Sequence, residues 1–200
     1  MAVIKSGDST TELTVDTTSK SARVTLYNTD GTTSAPYTSY RAATAADLVA
    51  AAGVSPFFAI QGSATKTIRV RKIIVTNPTL TATAVNSIVC KKTSTAITGG
   101  TATALVQVPL DSTSAAGTAS LLNVYTVAPT AGTLVGVVDN KRLILGDTAP
   151  VAGASPLEVV FDFGDKGLVL RGVAEGLSLN FIAAPATSVT MNLMILYSEE

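Results

Sequence analysis

Apolar and polar residues alternate with a period of two through most of the chain after residue 57, and this periodicity constrains the fold more than any other feature. Such alternation over about four to eight residues predicts β-strands with one buried face. Turn signals separate the alternating segments, among them Gly99-Gly100 and Asp139-Asn140. The predicted strands are residues 67–76, 85–92, 104–110, 121–127, 134–138, 142–145, 157–162, 167–171, 177–181 and 189–197.

Short strands at regular spacing, with no helical segments between them, are typical of an antiparallel sandwich. An immunoglobulin-like sandwich needs only about 100 residues. The body predicted here, residues 57–200, is longer. The sequence therefore predicts an all-β chain whose body is an antiparallel, jelly-roll-like β-sandwich.

One segment predicts a helix. Residues 44–53 are rich in alanine, and Thr44 and Asp47 stand where a cap and a first-turn carboxylate suit a helix N-terminus. Gly53 is placed to end the helix, and Pro56 disfavours its continuation. Because an alanine-rich helix this short needs tertiary support, we predict that residues 41–56 form a short helix and connector.

Residues 1–40 have a different composition, with many Ser, Thr and Asp residues and few apolar ones. Residues 21–27 alternate as a strand does, and a turn signal follows at residues 28–31. An isolated hairpin is only marginally stable in water, so we predict an N-terminal attachment arm that completes a partner's sheet. The alternative is that the arm packs on its own sandwich. The predicted anchors of the arm in a partner are Ile4, Leu13, Val15, Val24 and Leu26.

The residue types that most enzymes need are scarce. The chain has no histidine and one cysteine, Cys90, which excludes Ser-His-Asp and Cys-His nucleophile systems and an ordinary catalytic zinc site. Neither a phosphate-loop motif nor the ligand spacing of a calcium loop is present. The sequence predicts no enzyme, no catalytic or metal-binding residues and no cofactor. Cys90 itself is predicted to be a small buried apolar side chain.

Charge is low and balanced. Fourteen basic and fourteen acidic residues give a formal net charge of zero, and only 14% of residues are charged, against about 25% in an average globular domain. This argues against binding to nucleic acid and favours a surface covered by other subunits; the alternative is a neutral, hydroxyl-rich surface that is soluble alone. The densest basic group, Arg69, Arg71 and Lys72, is predicted to make inter-subunit charge contacts or to form a solvated face.

Targeting segments are not evident. No apolar run has the length of a membrane span, and the first residues do not resemble a signal peptide. We therefore expect synthesis in the cytoplasm, without a membrane partner.

Several segments resemble structural proteins of tailed bacteriophages. Residues 4–7, 13–16 and 19–27 are similar to an N-terminal module of these proteins. Residues 53–58, with the helix predicted before them, depart from the pattern. The similar segments of the body are residues 58–70, 91–101, 108–112, 125–130, 132–136, 161–164, 168–172 and 197–200.

The resemblance implies a virion structural protein, either a capsid decoration (cement) protein or a head fibre, which binds the particle through its arm. The alternative is a tail or neck appendage that acts as an adaptor or binds a receptor or glycan. The implied partners are copies of itself, with a trimer favoured, other virion proteins such as the major capsid protein, and a possible surface glycan. The implied location is the virion, and the host cytoplasm during viral assembly.

Overall fold

The structure, a computed structural model, describes residues 14–15, 22–23, 38–50, 56–80, 84–147, 158–183, 185 and 188–200. These residues form strands and connecting loops, and none of them is in a helix. The chain divides into two compact units, Met1–Pro36 and Tyr37–Glu200. In the first unit, β1 (Thr14–Val15) pairs antiparallel with β2 (Ala22–Arg23).

The second unit is built from thirteen strands among its described residues. They are β3 (Thr38–Ala43), β4 (Leu48–Ala50), β5 (Phe58–Gln61), β6 (Ile68–Leu80), β7 (Ala84–Thr93), β8 (Thr101–Ala104), β9 (Val108–Pro109), β10 (Leu121–Val127), β11 (Leu134–Asp147), β12 (Glu158–Asp162), β13 (Leu168–Leu170), β14 (Gly176–Phe181) and β15 (Val189–Glu199).

The strands form two antiparallel sheets. In sheet I, β12 and β13 pair with one side of β6, β15 pairs with the other side, β3 and β4 pair with β15, and β9 pairs with β3. Sheet II has the order β8-β10-β5-β14-β7-β11. A short parallel pairing of β11 with β6, at Gly146–Asp147, joins the two sheets. The predicted all-β antiparallel sandwich is confirmed.

The core follows from the alternation seen in the sequence. Along β15, residues from Val189 to Tyr197 are buried at every second position. Two aromatic contacts add to the core: Tyr40 stacks on Tyr197 with 5.2 Å between ring centroids, and Phe57 lies 4.7 Å from Phe181. Such pairs contribute about 0.5–1.5 kcal/mol beyond the area they bury. The core therefore ties β3 to β15 in sheet I and the start of β5 to β14 in sheet II.

The helix predicted at residues 44–53 is wrong in its described part, residues 44–50. A bend is followed there by β4, which pairs with β15. The predicted capping groups bind β15 instead: Thr44 Oγ1 accepts a hydrogen bond from the Leu193 N–H at 3.2 Å, and Asp47 Oδ1 accepts one from Asn192 Nδ2 at 2.8 Å. Burial of Leu48 and pairing with β15 override the helix propensity of the alanines. Residues 51–53 lie outside the described residues.

Three strand boundaries also differ from the sequence pattern. Asn77-Pro78 does not end β6, which continues to Leu80. Asp139-Asn140 is not a turn, because both residues pair with β7 after a β-bulge between Val137 and Asp139. The strand predicted at residues 104–110 is divided between the end of β8 in sheet II and β9 in sheet I.

Cys90 gives a simple report on the integrity of this core. Its side chain is buried, and burial, with the charge of Asp139 nearby, raises the pKa of the thiol to about 12. Since the thiolate is the reactive form, we expect Ellman's reagent at pH 8 to modify Cys90 at least about 100-fold faster in denaturing urea than in buffer. Complete modification of the native protein within the mixing time would contradict the predicted burial.

Candidate interaction surface

Among the residues that the structure describes, the outer face of sheet I carries a distinctive surface. The register aligns side chains of neighbouring strands into rows, because residues directly opposite each other share a face. The first row, here the apolar row, consists of Val160, Ile74, Met194 and Ala43 on β12, β6, β15 and β3. The next row, here the mixed row, consists of Asp162, Lys72, Leu196, Arg41 and Val108 and ends on β9.

These rows point away from the core. In β12, Val159 and Phe161 are buried, whereas Val160 between them is half-buried. In β3, Tyr40 and Ala42 are buried and their neighbours are not. A solvated sheet face normally alternates polar with the buried apolar face. The apolar row has no polar residue at any of its four positions, which is unusual for a face that meets only water.

Exposed aliphatic side chains continue this face at β9. Val108 is 51% exposed, and Leu110, whose N–H donates to the Ser39 carbonyl at 2.8 Å, is 56% exposed. In the register of this pair, Pro109 stands opposite Tyr40. Because proline has no N–H to donate, Pro109 weakens the addition of a further strand at this edge. The side chains, more than the strand edge, are suited to contact a partner.

The predicted basic group lies on β6, with Lys72 in the mixed row and Arg69 and Arg71 next to it along the strand. Lys72 Nζ is 3.0 Å from Asp162 Oδ2, and Arg69 forms an ion pair with Glu200. Arg71 has no ion-pair partner among the residues that the structure describes. Two of the three predicted contacts are therefore used within the chain. Whether Arg71 contacts another subunit stays a prediction.

Two surface carboxylates, Asp162 and Glu175, are held in their charged form by their neighbours. The Gly164 N–H, 2.9 Å from Asp162 Oδ1, and then Lys72 lower the pKa of Asp162. In the turn between β13 and β14, the Arg171 N–H and then Lys92 lower the pKa of Glu175. These pairs are solvent-exposed and contribute little to stability. They hold these charged side chains in fixed orientations at the surface.

The predicted anchors of the arm lie outside the side chains that the structure describes. Val15 belongs to β1, whose side chains are not described, and the other four anchors lie outside the described residues. They are Ile4, Leu13, Val24 and Leu26. Their role in a partner stays a prediction.

Sequence reasoning missed two residues of the sheet I face. Arg41 in the mixed row and Glu158, one row beyond the apolar row, are exposed at opposite corners of this face, and neither has an ion-pair partner among the described residues. Only the strand order β12-β6-β15-β3 brings them to one face. Part of the apolar row could have been predicted from the sequence. The alternation of residues 157–162 places Val160 on the outward face of the strand, where a polar residue would be expected, and Val160 is apolar.

A second apolar surface lies on β11. Its members, here the β11 patch, are Leu134, Val135, Val137 and Val138, and they are 54%, 61%, 57% and 38% exposed. Between residues 134 and 142, β11 pairs with β7 and, among the described residues, with no strand on its other side. Two bulges interrupt this part of the pairing, and bulges hinder the addition of a further strand. A partner is therefore more suitably bound through these side chains than by the addition of a strand to the edge of β11.

A small cleft opens between the bend before β4 and the strands β8 and β10. Thr44, Asp47, Thr103, Leu105 and Val124 line it, and its volume is about 260 Å³. Ligand pockets usually measure about 300–1,000 Å³. Its carboxylate, Asp47, already accepts a hydrogen bond from Asn192.

The described residues contain neither a metal-binding cluster nor a membrane-spanning helix. No group of three or more His, Cys, Asp and Glu side chains there is placed to hold a metal ion. In the same part of the chain, no helix is long and apolar enough to cross a membrane.

Comparison with known proteins does not identify a family for this chain. No protein-family model and no curated protein matches this chain. Among solved structures, one similarity is to a chain of the 2.6 Å structure of infectious bursal virus derived T=1 particles, with 13% sequence identity and a TM-score of 0.18. The alignment covers 94% of this chain and 45% of that chain. A superposition with so low a TM-score carries no argument about the fold or the function of this chain.

Proposed function

We propose that this chain is a non-enzymatic structural protein of a virion, of the capsid decoration or head-fibre type. The observation that carries the proposal is that the described residues of the body present apolar side chains on two surfaces, half-buried ones on the sheet I face and exposed ones in the β11 patch. Monomeric soluble proteins rarely expose extended apolar patches, and those that occur commonly mark contacts with other proteins. The resemblance of residues 4–7, 13–16 and 19–27 to a tailed-phage module supports the virion as the place of assembly.

Charge supports the same proposal. With 14% charged residues and a net charge of zero, the chain lacks the charge that usually keeps small domains soluble and apart. The cores of protein interfaces are depleted in charge. A chain that spends its functional life surrounded by other subunits fits this composition.

The β11 patch provides a test against the particle. We expect the double variant Val135→Ser/Val137→Ser to bind at least about 10-fold more weakly than the unchanged chain to particles assembled without the protein. Co-sedimentation over a range of chain concentrations measures this affinity. Both side chains are more than half exposed, so stability should change by no more than about 0.5 kcal/mol.

The matched control for this test is Val173→Ser/Ile182→Ser. It removes two aliphatic side chains that are 48% and 62% exposed elsewhere on the body. Particle binding should survive in this variant. Equal binding by the β11 variant and the unchanged chain would contradict a role of the β11 patch, and failure of the unchanged chain to bind would contradict the proposed function.

The proposal that the chain is not an enzyme is tested separately. Incubation of the purified chain with the surface polysaccharide of the host should release no new reducing ends. Release that depends on the chain would contradict the proposal and favour a glycan-cleaving appendage.

A further inference from the structure

Arg41 and Glu158 are unpaired charges of opposite sign on the sheet I face. Arg41 belongs to the mixed row, and Glu158 lies one row beyond the apolar row, opposite Thr76. Both are exposed, and neither has an ion-pair partner among the described residues. A partner that covers the apolar row must therefore also meet one positive and one negative group at opposite corners of the face.

The register gives the positions of these charges. Glu158 on β12 and Arg41 on β3 are three strand spacings and two rows apart. With about 4.8 Å between strands and about 6.8 Å between rows, each offset is about 14 Å and the diagonal is about 20 Å. The midpoint of that diagonal lies in the apolar row, between Ile74 and Met194.

This arrangement is complementary to itself. A two-fold axis that lies in the interface, passes through this midpoint and runs perpendicular to the diagonal places Arg41 of each copy over Glu158 of the other. Ile74 and Met194 of both copies then meet at the centre. The strands of the two sheets cross at about 90°, which is one of the two usual classes of sheet-on-sheet packing. The contact is isologous and closes with two copies.

We propose that the occupant of the sheet I face is a second copy of this chain, bound face to face through the apolar row with two Arg41–Glu158 ion pairs between the copies. The proposal deepens the proposed function by naming one partner of that surface. Its test uses the purified chain without particles, so that it can fail while particle binding stands, and the reverse.

The area of the face sets the expected strength. Five strands and three rows cover about 24 Å by 20 Å, or about 500 Å² in each copy. The total of about 1,000 Å² is at the lower limit of specific interfaces, below the standard size of about 1,600 Å². We therefore expect a concentration-dependent dimer with a Kd of about 10–100 µM.

Charge reversal tests the pairing. In R41E alone or E158R alone, every inter-copy pair joins like charges, so we expect the dimer to weaken at least about 10-fold. An equimolar mixture of the two variants restores both pairs, because both positions are acidic in the R41E chain and both are basic in the E158R chain. The mixture should form a heterodimer, and the double variant R41E/E158R should dimerise within about 3-fold of the unchanged chain.

Analytical ultracentrifugation from about 1 to 200 µM measures the constants, and native mass spectrometry identifies the heterodimer. The matched controls are D165R and K166E, which reverse exposed charges in the turn between β12 and β13. The controls should dimerise as the unchanged chain does. A chain that stays monomeric at 200 µM, a trimer, single variants with unchanged dimerisation or a mixture that stays monomeric would each overturn the proposal.

Discussion

A chain without residues 1–36 should keep the melting temperature of its body within about 2 °C. The described core residues begin at Tyr40, and none belongs to the unit Met1–Pro36. Two-state domains derive their stability mainly from such a core. Calorimetry, or circular dichroism against temperature, measures the transition. If the arm attaches the chain to the particle, the same truncated chain should no longer co-sediment with particles.

The residue at which the chain is truncated determines whether the body stays folded. Removal of residues 1–43 also deletes β3, which pairs with β15 from Met194 to Glu199. It further removes Tyr40, whose ring stacks on Tyr197 in the core. Loss of one buried aromatic side chain costs about 3–5 kcal/mol, a large share of the total stability of about 5–15 kcal/mol. We expect this longer truncation to abolish cooperative unfolding.

For each truncated chain, one result would contradict the prediction made here. If removal of residues 1–36 unfolds the body, the arm belongs to the core and the alternative of packing on its own sandwich is right. A cooperative transition after removal of residues 1–43 would contradict the structural role of β3. Normal particle binding by the shorter truncation would contradict attachment through the arm.

Strands were predictable because their signal is local. In β10 and β14 the side chains alternate between faces, and the predicted residues agree with the observed ones to within one residue. The strand β4, where a helix was predicted at residues 44–53, was not predictable from local sequence. The groups that stabilise it, such as Asn192 on β15, lie almost 150 residues away in the chain. Local capping groups are equally suited to a helix and to binding a distant strand.

The interaction surface depends on non-local information in the same way. Exposed apolar residues such as Val108 look in the sequence like members of one continuous strand at residues 104–110. Only the crossing of the chain from sheet II to sheet I turns them outward beside β3. The pairing of Arg41 with Glu158 across two copies needs the strand order, which no local pattern contains.

Among the residues that the structure describes, Glu199 is the one charged residue that is buried. It is 3% exposed, and its carboxylate accepts hydrogen bonds from the Thr118 N–H at 2.5 Å and from Thr118 Oγ1 at 3.1 Å. Lys66 Nζ lies 3.5 Å from its Oε2 atom. Nearby, Tyr197 donates to Gln107 Oε1 at 2.5 Å, and Tyr40 donates to the Ala115 carbonyl. The bonds of Thr118 and Ala115 hold the long loop between β9 and β10 against sheet I, and the bond of Gln107 holds the segment just before β9.

Replacement of Glu199 by leucine should therefore cost about 1–3 kcal/mol of unfolding free energy, because it leaves the part-buried Thr118 N–H without its acceptor. The lost pairing with Lys66 adds little, since the side chain of Lys66 is 37% exposed and its charge stays solvated. E199Q keeps an acceptor oxygen for Thr118 and should lose less than E199L. Urea unfolding followed by circular dichroism measures both.

The neighbouring residue supplies the control for this prediction. Glu200 is a glutamate at the next position, but it is exposed and pairs with Arg69 at the surface. Surface ion pairs contribute about 0–1 kcal/mol, so E200L should stay within about 1 kcal/mol of the unchanged chain. Equal losses in E199L and E200L would show that burial of Glu199 does not decide its contribution. A loss below about 1 kcal/mol in E199L would mean that the loop is held to sheet I by its other contacts, Tyr40 and Tyr197 among them.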